Sequence, residues 1–411
     1  MVVSAIAIYQ IIAGAIAASP FIFHRLRVGL WSKKSSLQYP EVNDSELPII
    51  TLVVPAWNEE LSIISKLDSL STQEYPRSKI EVIVIDSNSS DGTVGLVDAW
   101  ISANSEKFPK IKIIKMERRM GKTTAINQAF SSADGTSDVL AMTDVDARLE
   151  PRSIRRLGAW FTNPEIGAVG GTPNRCSVVN KTHVSSELSY RGMFTLQRIG
   201  ESERDSTPFL EGSILGIRRS VFSEGVLDLN CNADDAQLAV ATRLSGLRAI
   251  QDRDLIFRDS IAPTYAEHRA QKIRRGQGLQ RLLWRHRRHW FSRKQGAWGN
   301  ILGTQAIMHL IVPWLVLIGT VFAILKWCMI IANPVSLGVF VTATLILDSW
   351  IFGSWLLFRI GARVPLISLP ATFLDSMSAL LVSQFKLLSG ESLHMWEQGE
   401  GARKAMDAMK E

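Results

Sequence analysis

The sequence predicts an α/β domain on a mostly parallel sheet, flanked by apolar helices of membrane-spanning length. Three observations carry this. Short β-rich runs alternate with amphipathic segments from about residue 48 to 260, as βαβ units require. The first 23 residues contain no charged side chain. Apolar stretches long enough to cross a bilayer recur after residue 300.

In chain order, residues 1–24 read as an N-terminal transmembrane helix followed at once by His24, Arg25, Arg27, Lys33 and Lys34. With no basic start before the apolar run, this is expected to be a retained anchor rather than a cleaved signal. The positive-inside rule then places the following domain in the cytoplasm of an integral cell-membrane protein. Within residues 48–260, strands are expected at Pro48–Pro55, Lys79–Asp86, Lys110–Met116, Asp138–Met142 and Ile166–Gly171. Helices are expected at Glu59–Ser71, Gly92–Ser102, Lys122–Ser131 and Pro151–Phe161, with a further helix-like run at Ala236–Leu244. Ligands of such sheets sit beyond the carboxyl ends of the strands, which is where the polar clusters fall.

Residues 261–299 form a basic, amphipathic or interfacial segment. Between Ala262 and Trp298 stand ten Lys or Arg against Glu267 alone, interleaved with Trp284, Trp290 and Trp298, an excess larger than the +7 of the whole chain. Beside an apolar span, such a band suits an anionic membrane surface or a pyrophosphate more than a nucleic acid. Residues 301–389 hold the C-terminal transmembrane or interfacial helices: spans at about Ile301–Leu325 and Trp327–Phe358, parted near Asn333-Pro334. The third stretch, Pro365–Leu388, is interrupted by Asp375 and Lys386 and is expected to be membrane-associated, with residues 390–411 as a cytoplasmic tail. Within apolar stretches, His309 and Asp348 mark either function or helix–helix hydrogen bonding. Composition (46% hydrophobic, 21% charged) excludes a disordered or collagen-like chain. Cys176, Cys231 and Cys328 make no CxxC pair and point to a reducing compartment.

Four clusters carry chemistry. Asp86 ends a strand and opens Asp-Ser-Asn-Ser-Ser-Asp-Gly-Thr (86–93), suited either to holding a base or ribose or to a helix-entry turn capped by Asp91. Asp144 and Asp146 follow the strand at Val139–Met142, where paired hard oxygens can hold Mg²⁺ or Mn²⁺ against a diphosphate. Asp234-Asp235 are adjacent carboxylates before a helix: repulsion can raise one pKa for general-base work, or the pair is simply an acidic helix start. Gly121-Lys122-Thr123-Thr124 evokes a phosphate-binding P-loop, but Met116 stands where that loop needs glycine, so a nucleoside triphosphatase is disfavoured. Lys122 at a helix start reads as a phosphate contact or a solvated lysine.

In this order the clusters resemble the family-2 inverting glycosyltransferases with a GT-A fold, the group containing cellulose, chitin and hyaluronan synthases. The resemblance covers about Thr51 to Gly278. Val53-Val54-Pro55-Ala56-Trp57-Asn58-Glu59-Glu60 is similar to that family's VPAYNEE entry, with Trp57 for the usual tyrosine. Asp86 resembles the aspartate that contacts the uracil ring, and Gly121-Lys122 with Ala125 and Asn127 the GKAxALN element. Asp144 and Asp146 match the metal-binding DxD, Glu211-Gly212-Ser213 the acceptor-lining stretch, and Asp234-Asp235 the ED pair whose second member is the base. Gln271, Arg274 and Arg275 resemble QxxRW, with Arg275 where tryptophan is expected.

The resemblance implies transfer of a sugar from a nucleotide-sugar, first a UDP-sugar with guanine also open, to a lipid-linked or membrane-proximal saccharide acceptor. Inversion and a Mg²⁺ or Mn²⁺ cofactor come with it. Asp235, supported by Asp234, is the implied catalytic base. Pro55, Asn58, Glu59, Asp86, Lys122, Asp144, Glu211, Gly212, Gln271, Arg274 and Arg275 are the implied substrate-binding set, with Arg274 gripping the diphosphate. Loss of the tryptophan weakens the alternative of a processive polysaccharide synthase. A second alternative, an inactive membrane scaffold binding a nucleotide-sugar or a partner, is weakened because every charged position expected of a working site is filled.

Overall fold

The computed structural model describes residues 1–34, 36–106, 110–174, 182–223, 225–259, 264–332, 337–359 and 368–393, with the side chains of 182–191 and 368–369 left aside. Cys176, the Asn333-Pro334 break, the start of the stretch at Pro365 and tail residues 394–411 lie outside the described residues. The chain divides into two compact units: Leu30–Val178 with Thr195–Thr264 and Ser392–Glu411, and Met1–Gly29 with Val179–Phe194 and Tyr265–Glu391.

The helices and strands run α1 (Val2–Trp31), β1 (Ile50–Ala56), α2 (Ile63–Ser71), β2 (Ile80–Asp86), α3 (Thr93–Ala103), β3 (Ile111–Lys115), α4 (Lys122–Ser131), β4 (Val139–Met142) and β5 (Arg148–Leu149). They continue α5 (Ser153–Trp160), β6 (Ile166–Pro173), α6 (Thr182–Arg204), β7 (Leu215–Arg218), α7 (Asp234–Leu244) and β8 (Arg248–Arg258). The last helices are α8 (Tyr265–Arg285), α9 (Gly296–Ala306), α10 (Val312–Ala332), α11 (Val339–Arg359) and α12 (Ser368–Leu388).

The α/β unit is built on an eight-stranded sheet in the order β3-β2-β1-β4-β7-β6-β8-β5. β3, β2, β1 and β4 are mutually parallel, and β7 is antiparallel to both β4 and β6. Alternation along β1, buried on both faces, explains why this strand is apolar apart from Thr51: Ile50, Leu52, Val54 and Ala56 enter the core under α2, α3 and α5. Val53 points to the opposite core, made with Ile126 and Phe130 of α4 and Leu238 of α7. Each fully buried aliphatic here stabilises by about 1.5–3 kcal/mol.

The five strands expected from composition are present with ends moved by one or two residues, and the helix expected from Glu59 begins only at Ile63. β5, β7, β8 and α6 were not foreseen. β5 and β7 are only two and four residues long. In β8, charged Arg253 and Asp254 interrupt the apolar pattern.

The other unit contains long apolar helices. Among the described residues three stretches are long and apolar enough to cross a membrane: Val2–Trp31, Arg293–Ala332 and Val339–Arg359. The first runs past the expected end at residue 24, through Arg25 and Arg27. The second continues through Trp327 to Ala332, so Trp327 belongs to α10 and not to the following helix as expected. α12 is not among the three, and its Asp375 is paired: Tyr265 donates to it, as do Arg269 (2.9 Å) and Lys272 (3.3 Å).

Asp348 on α11 is likewise a helix–helix partner. It accepts from Gln10 of α1 (2.5 Å) and Trp327 (3.1 Å) and pairs with Lys326 (2.8 Å). A polar group so placed avoids the cost of standing alone in an apolar layer. His309 lies in a π-helical turn, Ile307–Ile311, with Nδ1 at 2.8 Å from the Gln305 carbonyl.

Candidate active site

The registers bring four chain segments to one end of the sheet. Ala56 ends β1 beside Asp86, the last residue of β2. Met142 ends β4 beside Val53 of β1, and across from it β7 starts at Leu215, just after Glu211-Gly212-Ser213. α7 begins at Asp234, so Asp234 and Asp235 form its first turn.

Pro55 is buried in β1 opposite Ile85. The loops after β1 and β2 are laced together. Asn58 adopts φ 51° and Asn88 φ 61°, the left-handed region that asparagine tolerates. Ser90 N donates to Asn58 Oδ1 (2.7 Å), Asn58 N to Ser89 Oγ (2.8 Å) and Glu59 N to Thr93 Oγ1 (2.7 Å). Buried Asp86 accepts from Ser89 N (3.0 Å) and Ser89 Oγ (2.5 Å). Asp91 Oδ1 accepts from Thr93 N (3.0 Å), while the N-cap position of α3 is held by Gly92 and not by Asp91 as expected. Arg119 stacks on Trp57 with its guanidinium 3.4 Å from the ring centroid.

A second group surrounds Lys122. Gly121 at φ 88° makes the turn that starts α4 with Lys122. The Lys122 ammonium lies 2.5 Å from Asp144 Oδ1 and 3.8 Å from Asp234 Oδ2. A methyl group added at Gly212 would stand 3.5 Å from Lys122 Nζ and 3.6 Å from Asp235 Oδ2, so Gly212, Lys122 and Asp235 border one space. Glu211 is ion-paired to Arg198 of α6. Lys122, Asp144, Glu211, Gly212, Asp234 and Asp235 are thus brought together.

The electrostatics single out Asp235 as a perturbed carboxyl. Burial raises the Asp235 carboxyl to about 7, Asp234 and Glu211 push it the same way, and Lys122 opposes. Lys122 is held well above the ordinary lysine range because Asp144 and Asp234 outweigh its burial. A carboxylate poised near neutrality beside a fixed cation is equipped to take a proton.

Asp144 and Asp146 supply hard oxygen donors of the kind that bind Mg²⁺ or Mn²⁺. No group of three or more His, Cys, Asp or Glu placed to hold a metal occurs among the described residues. Two carboxylates fit Mg²⁺, which is usually held by one or two carboxylates together with substrate phosphates. The Lys122 ammonium against Asp144 marks the position as one that takes a cation.

Gln271, Arg274 and Arg275 lie on α8 in the other compact unit, Arg275 exposed and the other two half-buried. Sequence reasoning missed Arg198, on a helix it did not foresee, the Arg119–Trp57 stack, and Lys66. Lys66 is fully buried on α2 and donates to Thr143 Oγ1 (2.7 Å) and the Ala147 carbonyl (2.6 Å). Burial first, then Arg148, pushes its ammonium down to about 7, while Asp144 and Asp146 push it back up. A lysine on an amphipathic helix gives no sequence signal of burial.

Residues 51–226 match the family described as Glycosyl transferase family 2. A probable glycosyltransferase YdaM from Bacillus subtilis is 29% identical over 207 residues, 48% of this chain and 47% of that protein. A beta-monoglucosyldiacylglycerol synthase from Synechocystis is 29% identical over 124 residues, 30% of this chain and 25% of that protein. The chain therefore spans about half or less of the length of these curated relatives. Among solved structures, mannosyltransferase PcManGT from Pyrobaculum calidifontis, in complex with GDP-Man and Mn²⁺, superposes with TM-score 0.76 at 24% identity, covering 94% of this chain and 100% of that one. The fold is GT-A: a Rossmann-like, mostly parallel mixed sheet between helices.

Proposed function

We propose that this chain, which carries a family 2 glycosyl transferase domain, moves a hexosyl group from a nucleotide-sugar to an acceptor hydroxyl with inversion at the anomeric carbon. The observation that carries the reading is the convergence of Asp235, Asp234, Lys122, Asp144 and Gly212 on one space beyond the strand ends. The acceptor oxygen attacks the anomeric carbon as the bond to the diphosphate breaks, and the acceptor proton passes to the Asp235 carboxylate. Lys122 neutralises negative charge at the diphosphate side, in a site where a fixed cation needs no reorganisation during reaction. A Mg²⁺ or Mn²⁺ ion held by Asp144 and Asp146 would supply Lewis-acid stabilisation of the leaving diphosphate. Asp86, with acceptor capacity beyond its two bonds to Ser89, is assigned to the nucleoside. Pro55, Asn58 and Glu59 shape the loop beside it.

The donor base is read as uracil by the resemblance of Asp86, while the solved mannosyltransferase of like fold was seen with GDP-Man and Mn²⁺. A lipid-linked or membrane-proximal acceptor is supported by the three apolar helices and by the glucosyldiacylglycerol synthase relative. Arg25, Arg27, Lys33 and Lys34 after the first apolar run support a cytoplasmic catalytic domain on an integral membrane protein. Purified protein in detergent or lipid, assayed with a panel of UDP- and GDP-sugars and read by product mass, identifies donor and acceptor together. A ladder of polymers would replace single transfer by processive synthesis. Transfer indifferent to both Asp146→Ala and Asp235→Ala would remove the assignment.

A further inference from the structure

The segment carrying Asp144 and Asp146 is held from behind by two cations that the chemistry itself does not use. Ala147 N donates back to the Asp144 carbonyl (3.2 Å), closing a turn over the two aspartates. Arg148 donates to the Val145 carbonyl (2.8 Å). The Lys66 ammonium bridges the two residues that flank Asp144-Val145-Asp146, donating to Thr143 Oγ1 and to the Ala147 carbonyl. Thr143 Oγ1 in turn donates to the Ser213 carbonyl (2.7 Å), immediately after Glu211-Gly212. One buried side chain on α2 therefore ties the aspartate turn to the segment lining the acceptor side. A hydroxyl that accepts from the ammonium and donates to a carbonyl has both its roles fixed, so the chain of bonds has a single polarity.

We propose that Lys66 is a positioning residue for the metal and donor site: it sets the separation of the Asp144 and Asp146 carboxylates and couples that turn to Glu211-Gly212-Ser213. The proposal rests on the metal-dependent reading given above. Outer partners that orient ligands commonly change metal affinity by about 10–100-fold when removed. An apolar residue of similar length at position 66 would leave Thr143 and the Ala147 carbonyl without their buried donor, and the turn would lose its fixed width.

The test uses the full chain carrying Lys66→Met. Free Mn²⁺ is followed by electron paramagnetic resonance with UDP and, separately, GDP present. Amide exchange of residues 143–147 is followed without metal. The expected result is Mn²⁺ affinity weakened roughly tenfold or more and faster exchange in 143–147, with uridine or guanosine binding kept. A folded Lys66→Met protein with wild-type Mn²⁺ affinity overturns the proposal, and faster exchange alone would reduce Lys66 to a structural tie. If Lys66→Met shows no cooperative thermal transition, Thr143→Val decides by the same measurements, because it removes the ammonium's hydroxyl partner and the Ser213 bond while keeping the lysine. Unchanged Mn²⁺ affinity in a parallel Asp146→Asn variant would instead overturn the underlying metal reading.

Discussion

Replacing Lys122 by methionine keeps the side-chain length and deletes the cation that contacts both Asp144 and Asp234. The ammonium stands 2.5 Å and 3.8 Å from the two carboxylates, and its side chain is 21% exposed. At an effective permittivity of ~20 those separations correspond to roughly 7 and 4 kcal/mol of attraction before desolvation is subtracted. Removing one partner of a fully buried ion pair costs about 3–5 kcal/mol. The variant has an escape that limits the loss: taking up one proton. Protonating an aspartate of ordinary pKa at pH 7 costs about 4 kcal/mol, and less for Asp235, whose carboxyl already sits near 7.

The expected destabilisation of Lys122→Met is therefore ~2–4 kcal/mol at pH 7, or a Tm lower by about 5–15 °C for a domain of this size. The sign with pH follows from the same escape. Losing Lys122 removes the charge that pulls the already raised Asp235 carboxyl down, so the folded variant binds more protons than folded wild type. Its deficit against wild type should then shrink as pH falls from 8 to 5.5. Mn²⁺ should raise the Tm of the variant more than that of wild type, because the ion replaces the missing charge. Thermal unfolding followed by circular dichroism, with and without Mn²⁺ at three pH values, reads all of this. A variant as stable as wild type at every pH, or a deficit that grows on acidification, would refute the reasoning.

Asp235→Asn is expected to lower transfer by about 10²–10⁴-fold while leaving nucleotide binding intact, as checked by turnover against calorimetric binding of UDP or GDP. In the unmodified protein the rate should rise through about pH 7 as Asp235 loses its proton and then level off; a rate that falls over pH 6–8 would contradict a basic role. Gly212→Ala adds a methyl 3.5 Å from Lys122 Nζ and 3.6 Å from Asp235 Oδ2, both ordinary contacts. Its Tm should stay within a few degrees of wild type while the acceptor KM rises, which steady-state kinetics resolves. Asp375→Ala deletes the carboxylate that Tyr265, Arg269 and Lys272 share, itself 1% exposed. Removing it should cost about 3–5 kcal/mol and speed proteolysis in α8 and α12, and unchanged cleavage would argue against this anchor.

Much of this protein is legible in its sequence because the physics involved is local. A strand buried on both faces reads as a near-continuous apolar run, and Ile80–Asp86 does so apart from Glu81 and the terminal Asp86; its period and the turn residues behind Asp86 follow from backbone geometry alone. Motif order along the chain likewise sets Asp86, Asp144 and Asp235 in one series through the family resemblance. Runs of 20 or more apolar residues announce candidate spans by length, though the second span was expected to begin at Trp327, which α10 runs through to Ala332.

What only the tertiary structure decided are contacts between residues far apart in sequence. Asp348 could have marked function or packing; the fold answers by setting Lys326 and Gln10 against it. Asp235 gives no sign in sequence of the burial that raises its carboxyl, which only the folded surroundings supply. Lys66 shows the difference most plainly. On paper it is one of many lysines, and it became a support of the aspartate turn only because α2 packs where its ammonium reaches Thr143 and Ala147, 77 and 81 positions away. Periodicity encodes which face of an element is buried; it cannot encode which polar group waits inside to be met.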